Sequence, residues 1–137
     1  MHERAIVWSV AGSDRGGGAG IQADLRAFDA FGVHGCTAVA AITAQNSVAV
    51  QRVEAVTPDL LDAQLAALAE DLPPLAIKSG LLGSADNVRV LATAIACGAI
   101  RPASYPSRAP SIASRNARAI ATGSAACATA ELSSTAS

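Results

Sequence analysis

The sequence predicts an α/β fold: a mostly parallel sheet with covering helices, followed by an irregular C-terminal tail. Three observations carry this. Short apolar runs alternate with segments of helical period in the order strand–helix–strand–strand–helix–strand–helix up to about residue 100. A glycine-rich turn, Gly12–Gly20, joins the first run to the first helical segment. Right-handed crossovers between successive strands then set most of the sheet parallel.

Ala5–Ala11 is a short apolar run ending at Gly12, the profile of a strand buried on both faces. After the glycine turn, Ile21, Leu25, Phe28 and Gly32 lie on one helical stripe, with Gln22, Arg26 and Asp29 off it. Gly32 stops this helix. Cys36–Ala44 reads as a second buried strand and Val48–Val56 as a shorter alternating one. Thr57-Pro58-Asp59 combines a capping hydroxyl, a first-turn proline and an acid that suits the helix dipole. Leu61, Leu65, Leu68 and Leu72 then share a face, and Pro73-Pro74 ends the segment. Leu75–Gly80 is a short strand. Ser84 caps a third helix whose Val88, Leu91 and Ile95 are expected to point inward, with Gly98 at its end. Ala99-Ile100 looks like the start of a further strand, broken by Arg101-Pro102.

Of the 137 residues, 33 are alanine, so a 51% apolar content overstates the core. The formal charge of −1 gives no basic footprint for nucleic acid and no polybasic membrane patch. Ala5–Ala11 is too short for a secretory signal or a membrane span. Three cysteines without a Cys-x-x-Cys pair make a reducing cytoplasm the default setting. A break falls near residue 100. Residues 101–137 hold 11 Ala, 8 Ser and 3 Pro but only Ile112, Ile120 and Leu132 as large aliphatics. Such a stretch cannot offset the entropy of ordering its backbone. The expected organisation is therefore 1–100 as the folded portion and 101–137 as a low-complexity, disordered tail. Exposed sheet edge and apolar surface on so small a body invite self-association, so a homo-oligomer is one expected state.

A glycine turn between a first strand and helix brings backbone N–H groups against a ligand. Two common versions fail. Gly12-x4-Gly17 has P-loop spacing, but Gly18 and Ala19 replace the lysine and the Mg²⁺-binding hydroxyl. Gly18-Ala-Gly20 imitates a dinucleotide turn, but Gln45-Asn46 stands where a ribose-binding acid belongs.

Taken whole, Ala11-Gly-Ser-Asp-Arg-Gly-Gly-Gly-Ala-Gly-Ile-Gln-Ala-Asp-Leu25, then Gly32-Val-His-Gly-Cys36, Ala44-Gln-Asn46 and Lys78-Ser-Gly-Leu81, resembles the hydroxymethylpyrimidine/phosphomethylpyrimidine kinases of thiamine biosynthesis, in the ribokinase-like superfamily. The resemblance covers roughly residues 5–100. Arg15-Gly16 replaces the usual Pro-Ser or Ser-Ser, and Leu81 an often-seen Met. It implies a partial ribokinase-like sheet and an ATP- and Mg²⁺-dependent kinase acting on 4-amino-5-hydroxymethyl-2-methylpyrimidine and its monophosphate. It also implies substrate-binding residues. Gln45 matches the glutamine that hydrogen-bonds the pyrimidine, Asp24 an acid near the hydroxymethyl group, and Ala19 and Leu81 apolar wall positions. The family's nucleotide site and its Gly-x-Gly-Cys loop, with the catalytic base, match nothing in these 137 residues; Cys127 lacks the flanking glycines. The expectation is a truncated or frame-disrupted chain, inactive alone.

Plainer readings stand beside these. Read without the motif, Gln45 is a strand-end amide and Asp24 a solvated helix acid. Asp14 reads as a turn residue holding the loop rather than a metal ligand. Lys78 either reaches a phosphate or pairs with a carboxylate. His2 is a terminal residue, His34 a solvent-facing turn residue, and Cys36 and Cys97 small buried apolar groups. Two rival functions are a non-catalytic pyrimidine-binding or regulatory fragment and a pyridoxal-kinase-like member of the same superfamily.

Overall fold

A computed structural model describes residues 4–100. The chain runs β1 (Ile6–Ser13), α1 (Gly20–Ala30), β2 (His34–Gln45), β3 (Val50–Ala55), α2 (Pro58–Asp71), β4 (Ala76–Ser79) and α3 (Ala85–Ala96), the predicted order. The sheet order is β3-β2-β1-β4. β1 is parallel to both β2 and β4, while β3 is antiparallel to β2. The expectation for 101–137, and those for His2 and Cys127, lie outside the described residues.

Strand alternation divides the two faces. Trp8 and Val10 of β1, with Cys36, Ala38 and Ala40 of β2, join Leu61, Leu65, Leu91, Ala94 and Ile100 in the core cluster. The opposite face takes α1, whose Leu25 and Phe28 lie so close to Gly35 that a Cβ there would come within 2.8 Å of each. The α2 and α3 side is the sealed one, because α1 buries no residue fully. Trp8, wholly buried, also donates its indole N–H to the Leu72 carbonyl at the end of α2, at 2.9 Å. Both predicted caps form: Thr57 accepts from the Leu60 N–H and Ser84 from the Asn87 N–H.

Ala40 is an extra residue in β2, since Ala11 pairs with Val39 and Gly12 with Ala41. Its neighbours absorb the irregularity. The Gln64 amide accepts from the Val39 N–H at 2.9 Å and donates to the Val39 carbonyl at 3.0 Å. The Ala40 carbonyl accepts from the Val56 N–H and from Asn87 Nδ2. A bulge bends its strand and re-aims the side chains beyond it. Here those side chains are Thr43 and Gln45.

Four expectations need correction. β2 is not buried throughout: Ile42, flanked by Ser13 of β1 and Glu54 of β3, is 57% exposed, because it lies outside the core cluster that α2 and α3 cover. Val88 faces solvent, and Asn87 takes the inward place. The Asn87 amide shares its two N–H groups among the carbonyls of Ala40, Val56 and Leu82, so a polar residue ties α3 to three other segments. Cys97 is exposed while Cys36 is buried, because Cys97 caps α3 beyond its inward face. Finally, Ala99-Ile100 starts no strand. Gly98, at φ 69°, turns the chain so that Ile100 folds under α3, donating its N–H to the Ala94 carbonyl at 3.1 Å.

Candidate acceptor cleft

From β1 the chain moves to one side for β2 and β3, then α2 carries it back to β4 on the other side of β1. In open α/β sheets the crevice beyond the strand ends at such a reversal is where ligands bind. A cleft of about 210 Å³ opens at this point. It is lined by Gly12, Ser13 and Asp14 from the end of β1, and by Ala19 and Gly20 at the start of α1. Thr43 and Gln45 of β2 complete it with Lys78, Gly80 and Leu81 from the end of β4. Pockets for drug-sized ligands run to about 300–1,000 Å³, so this one suits a small monocyclic molecule.

The structure brings Ala19, Gln45 and Leu81 together in this cleft, and does not place Asp24 in its lining. Asp14 and Thr43 line it without having been singled out as binding residues, and Lys78, left by the sequence between a phosphate and a carboxylate partner, lines it as well. Their signal was positional: each sits at the carboxyl end of a strand.

The glycine turn is a built scaffold. Asp14 Oδ1 accepts from the Gly16 N–H and Oδ2 from the Ala19 N–H, each at 2.8 Å. Gln22, though off the apolar stripe of α1, is no idle surface residue. Its Oε1 accepts from the Asp14 N–H and its Nε2 donates to Ser13 Oγ. Thr43 Oγ1 donates to the Ser13 carbonyl at 2.8 Å, fixing β2 to the same turn.

The side-chain amide of Gln45, followed by the Gly16 N–H, holds the Asp14 carboxyl below the usual carboxylate range; burial opposes them. A depressed folded pKa adds stability above the unfolded value, about 3.9, and that stability is lost as pH falls through the folded value. Asp14→Asn should therefore lower the thermal midpoint at pH 7, with the gap from the unaltered chain closing as the pH falls through the depressed folded value. Thermal scans across pH check this; a gap independent of pH would contradict it.

Asp24 is not a solvated helix acid. Its Oδ2 accepts from Ser9 Oγ at 2.5 Å and from Lys78 Nζ at 2.8 Å. Of the two sequence readings for Lys78, pairing with a carboxylate is the one observed.

The Mg²⁺ implied by the family finds no matching donors here. Among the described residues no three His, Cys, Asp or Glu side chains cluster closely enough to hold a metal ion. Asp14, the acid in the cleft, already turns both oxygens to N–H groups. The Cys36 thiol is pushed up by burial, with the Asp71 charge adding to it, which suits an inert core group.

Residues 14–104 match the family model described as phosphomethylpyrimidine kinase. The chain belongs to the phosphomethylpyrimidine kinase family. It is 52% identical over 91 residues to the hydroxymethylpyrimidine/phosphomethylpyrimidine kinase of Synechococcus elongatus, covering 66% of this chain and 35% of that one. The crystal structure of a phosphomethylpyrimidine kinase from Clostridium difficile superposes with a TM-score of 0.63 at 40% identity, over 65% of this chain and 38% of that one. The Bacillus subtilis pyridoxal kinase, solved as an ADP complex, gives 0.66 at 32% identity, over 72% and 38%. The chain thus spans about a third of the length of the curated phosphomethylpyrimidine kinases it matches. These neighbours bear out the ribokinase-like fold expected from the motifs. No helix among the described residues is long and apolar enough to cross a membrane.

Proposed function

We propose that residues 1–100 form the acceptor-binding part of a kinase that phosphorylates hydroxymethylpyrimidine and its monophosphate with ATP. One observation carries this: Ala19, Gln45 and Leu81, far apart in sequence, converge on a single cleft at the reversal point of the sheet. An amide offers a donor and an acceptor side by side, the complement of a ring nitrogen next to an amino group. Ala19 and Leu81 supply apolar walls in this reading, and Lys78, which lines the cleft and is paired with Asp24, is assigned to the hydroxymethyl end. Higher identity to phosphomethylpyrimidine kinases than to pyridoxal kinases favours the pyrimidine as acceptor. ATP as donor is supported by the ADP complex of the pyridoxal kinase neighbour.

Phosphoryl transfer rests on holding acceptor, phosphate and charge-stabilising groups in one geometry. Among the described residues only the acceptor side is built. The partners supported by this reading are small molecules, and a reducing cytoplasm remains the proposed setting.

Gln45→Ala tests the assignment. Leaving the pyrimidine's polar groups unpaired costs about 1–3 kcal/mol, or roughly ten- to a hundredfold in affinity. Calorimetric titration of hydroxymethylpyrimidine should show that loss; unchanged affinity would return Gln45 to a purely structural amide.

A further inference from the structure

Lys78 lines the cleft, and Asp24, outside the lining, holds its ammonium. Ser9, fully buried on β1, and Lys78 share one oxygen of Asp24, whose side chain is 16% exposed against 44% for Lys78. The buried hydroxyl fixes the acid and the acid fixes the ammonium. Gly80 gives the ammonium room, since a Cβ there would lie 3.2 Å from Nζ. An ammonium carries three N–H groups, and Asp24 uses one. Lys78 is the only lysine in the chain and, among the described residues, the only basic one lining the cleft.

We propose that Lys78 is the residue that meets the phosphate of the phosphorylated pyrimidine, with Asp24 and Ser9 acting as positioning residues behind it. This rests on the pyrimidine reading and deepens it by assigning a group to the second of its two substrates. A compact ammonium serves as a point charge for phosphate, and the ionic hydrogen bond is about twice as strong as a neutral one. Asp24 supplies the complementary property. It balances the ammonium when the ligand is the neutral alcohol, so one site can take the alcohol and its phosphate in turn. The paired lysine keeps its remaining donors for the charged ligand.

The test titrates hydroxymethylpyrimidine and its monophosphate into the unaltered 137-residue chain, Lys78→Met and Lys78→Arg. Lys78→Met should weaken the monophosphate by about tenfold or more relative to the alcohol, and Lys78→Arg should restore most of the difference. In the unaltered chain, monophosphate affinity should rise as pH passes about 6, where the second phosphate proton leaves, and Lys78→Met should flatten that rise. A second measurement needs no variant. An amine-acylating reagent should modify the peptide carrying Lys78, and the monophosphate should protect it more than the alcohol does. Equal weakening of both ligands in Lys78→Met, or no added protection by the phosphate, overturns the inference. If the unaltered chain binds neither ligand, the pyrimidine reading falls and this inference with it. If it binds the alcohol but the ratio is unmoved by Lys78→Met, this inference falls alone.

Discussion

Replacing Trp8 by alanine is expected to cost about 3–5 kcal/mol, a large part of the roughly 5–15 kcal/mol that holds a typical domain folded. Two losses combine. The indole is wholly buried at the centre of the sheet, in the same cluster as Leu61, Leu65 and Leu91, so its removal leaves a cavity on the sealed face. The Leu72 carbonyl also loses the N–H that ties the end of α2 to β1. The opposite face cannot compensate, because α1 buries no residue fully. Urea unfolding of the two chains measures the difference. A change under about 1 kcal/mol would mean that the core does not depend on this contact.

The second large effect belongs to Gly20, the first residue of α1. Its φ is 59°, and a Cβ there would lie 2.3 Å from the Gly12 carbonyl oxygen and 3.1 Å from the Asp14 nitrogen. Left-handed backbone costs a non-glycine residue about 1–3 kcal/mol even without a clash. Here the obstructing atoms are backbone of the turn itself, so relief requires moving α1 away from β1. That movement would break the Asp14 hydrogen bond to Ala19 and open the wall of the cleft. Gly20→Val should therefore abolish measurable pyrimidine binding as well as lower stability. Calorimetry alongside thermal unfolding separates the two. Retained binding with full stability would show that the turn has another way to close.

What the sequence disclosed was chiefly local. Thr57-Pro58-Asp59 and Ser84 marked helix starts because a cap lies within three residues of the N–H it satisfies. The glycine turn and Gln45 were legible as linked motifs in a fixed order, and the cleft brings Ala19, Gln45 and Leu81 into one place. Contacts between distant segments were not legible. Asn87 in a helix reads as surface, yet its amide serves carbonyls of residues 40, 56 and 82, and this rotates Val88 outward. Gln64 likewise reads as a solvated helix residue until the extra residue in β2 leaves Val39 in need of its amide. The Lys78–Asp24 pair spans 54 residues, so spacing alone could not choose between a carboxylate and a phosphate partner. Ile42 misled for another reason. Its apolar neighbours suggested burial, but its side chain lies outside the core cluster that α2 and α3 cover, although β1 and β3 flank its backbone.

In the function proposed above, the cleft between β1, β2 and β4 holds an aminopyrimidine through Gln45. Calorimetric titration of the unaltered chain with hydroxymethylpyrimidine and, separately, with pyridoxal tests it most directly. Saturable one-to-one binding of the pyrimidine, tighter than any binding of pyridoxal, is the expected result. Equal or tighter binding of pyridoxal, or no heat from either ligand with a folded chain, would contradict it.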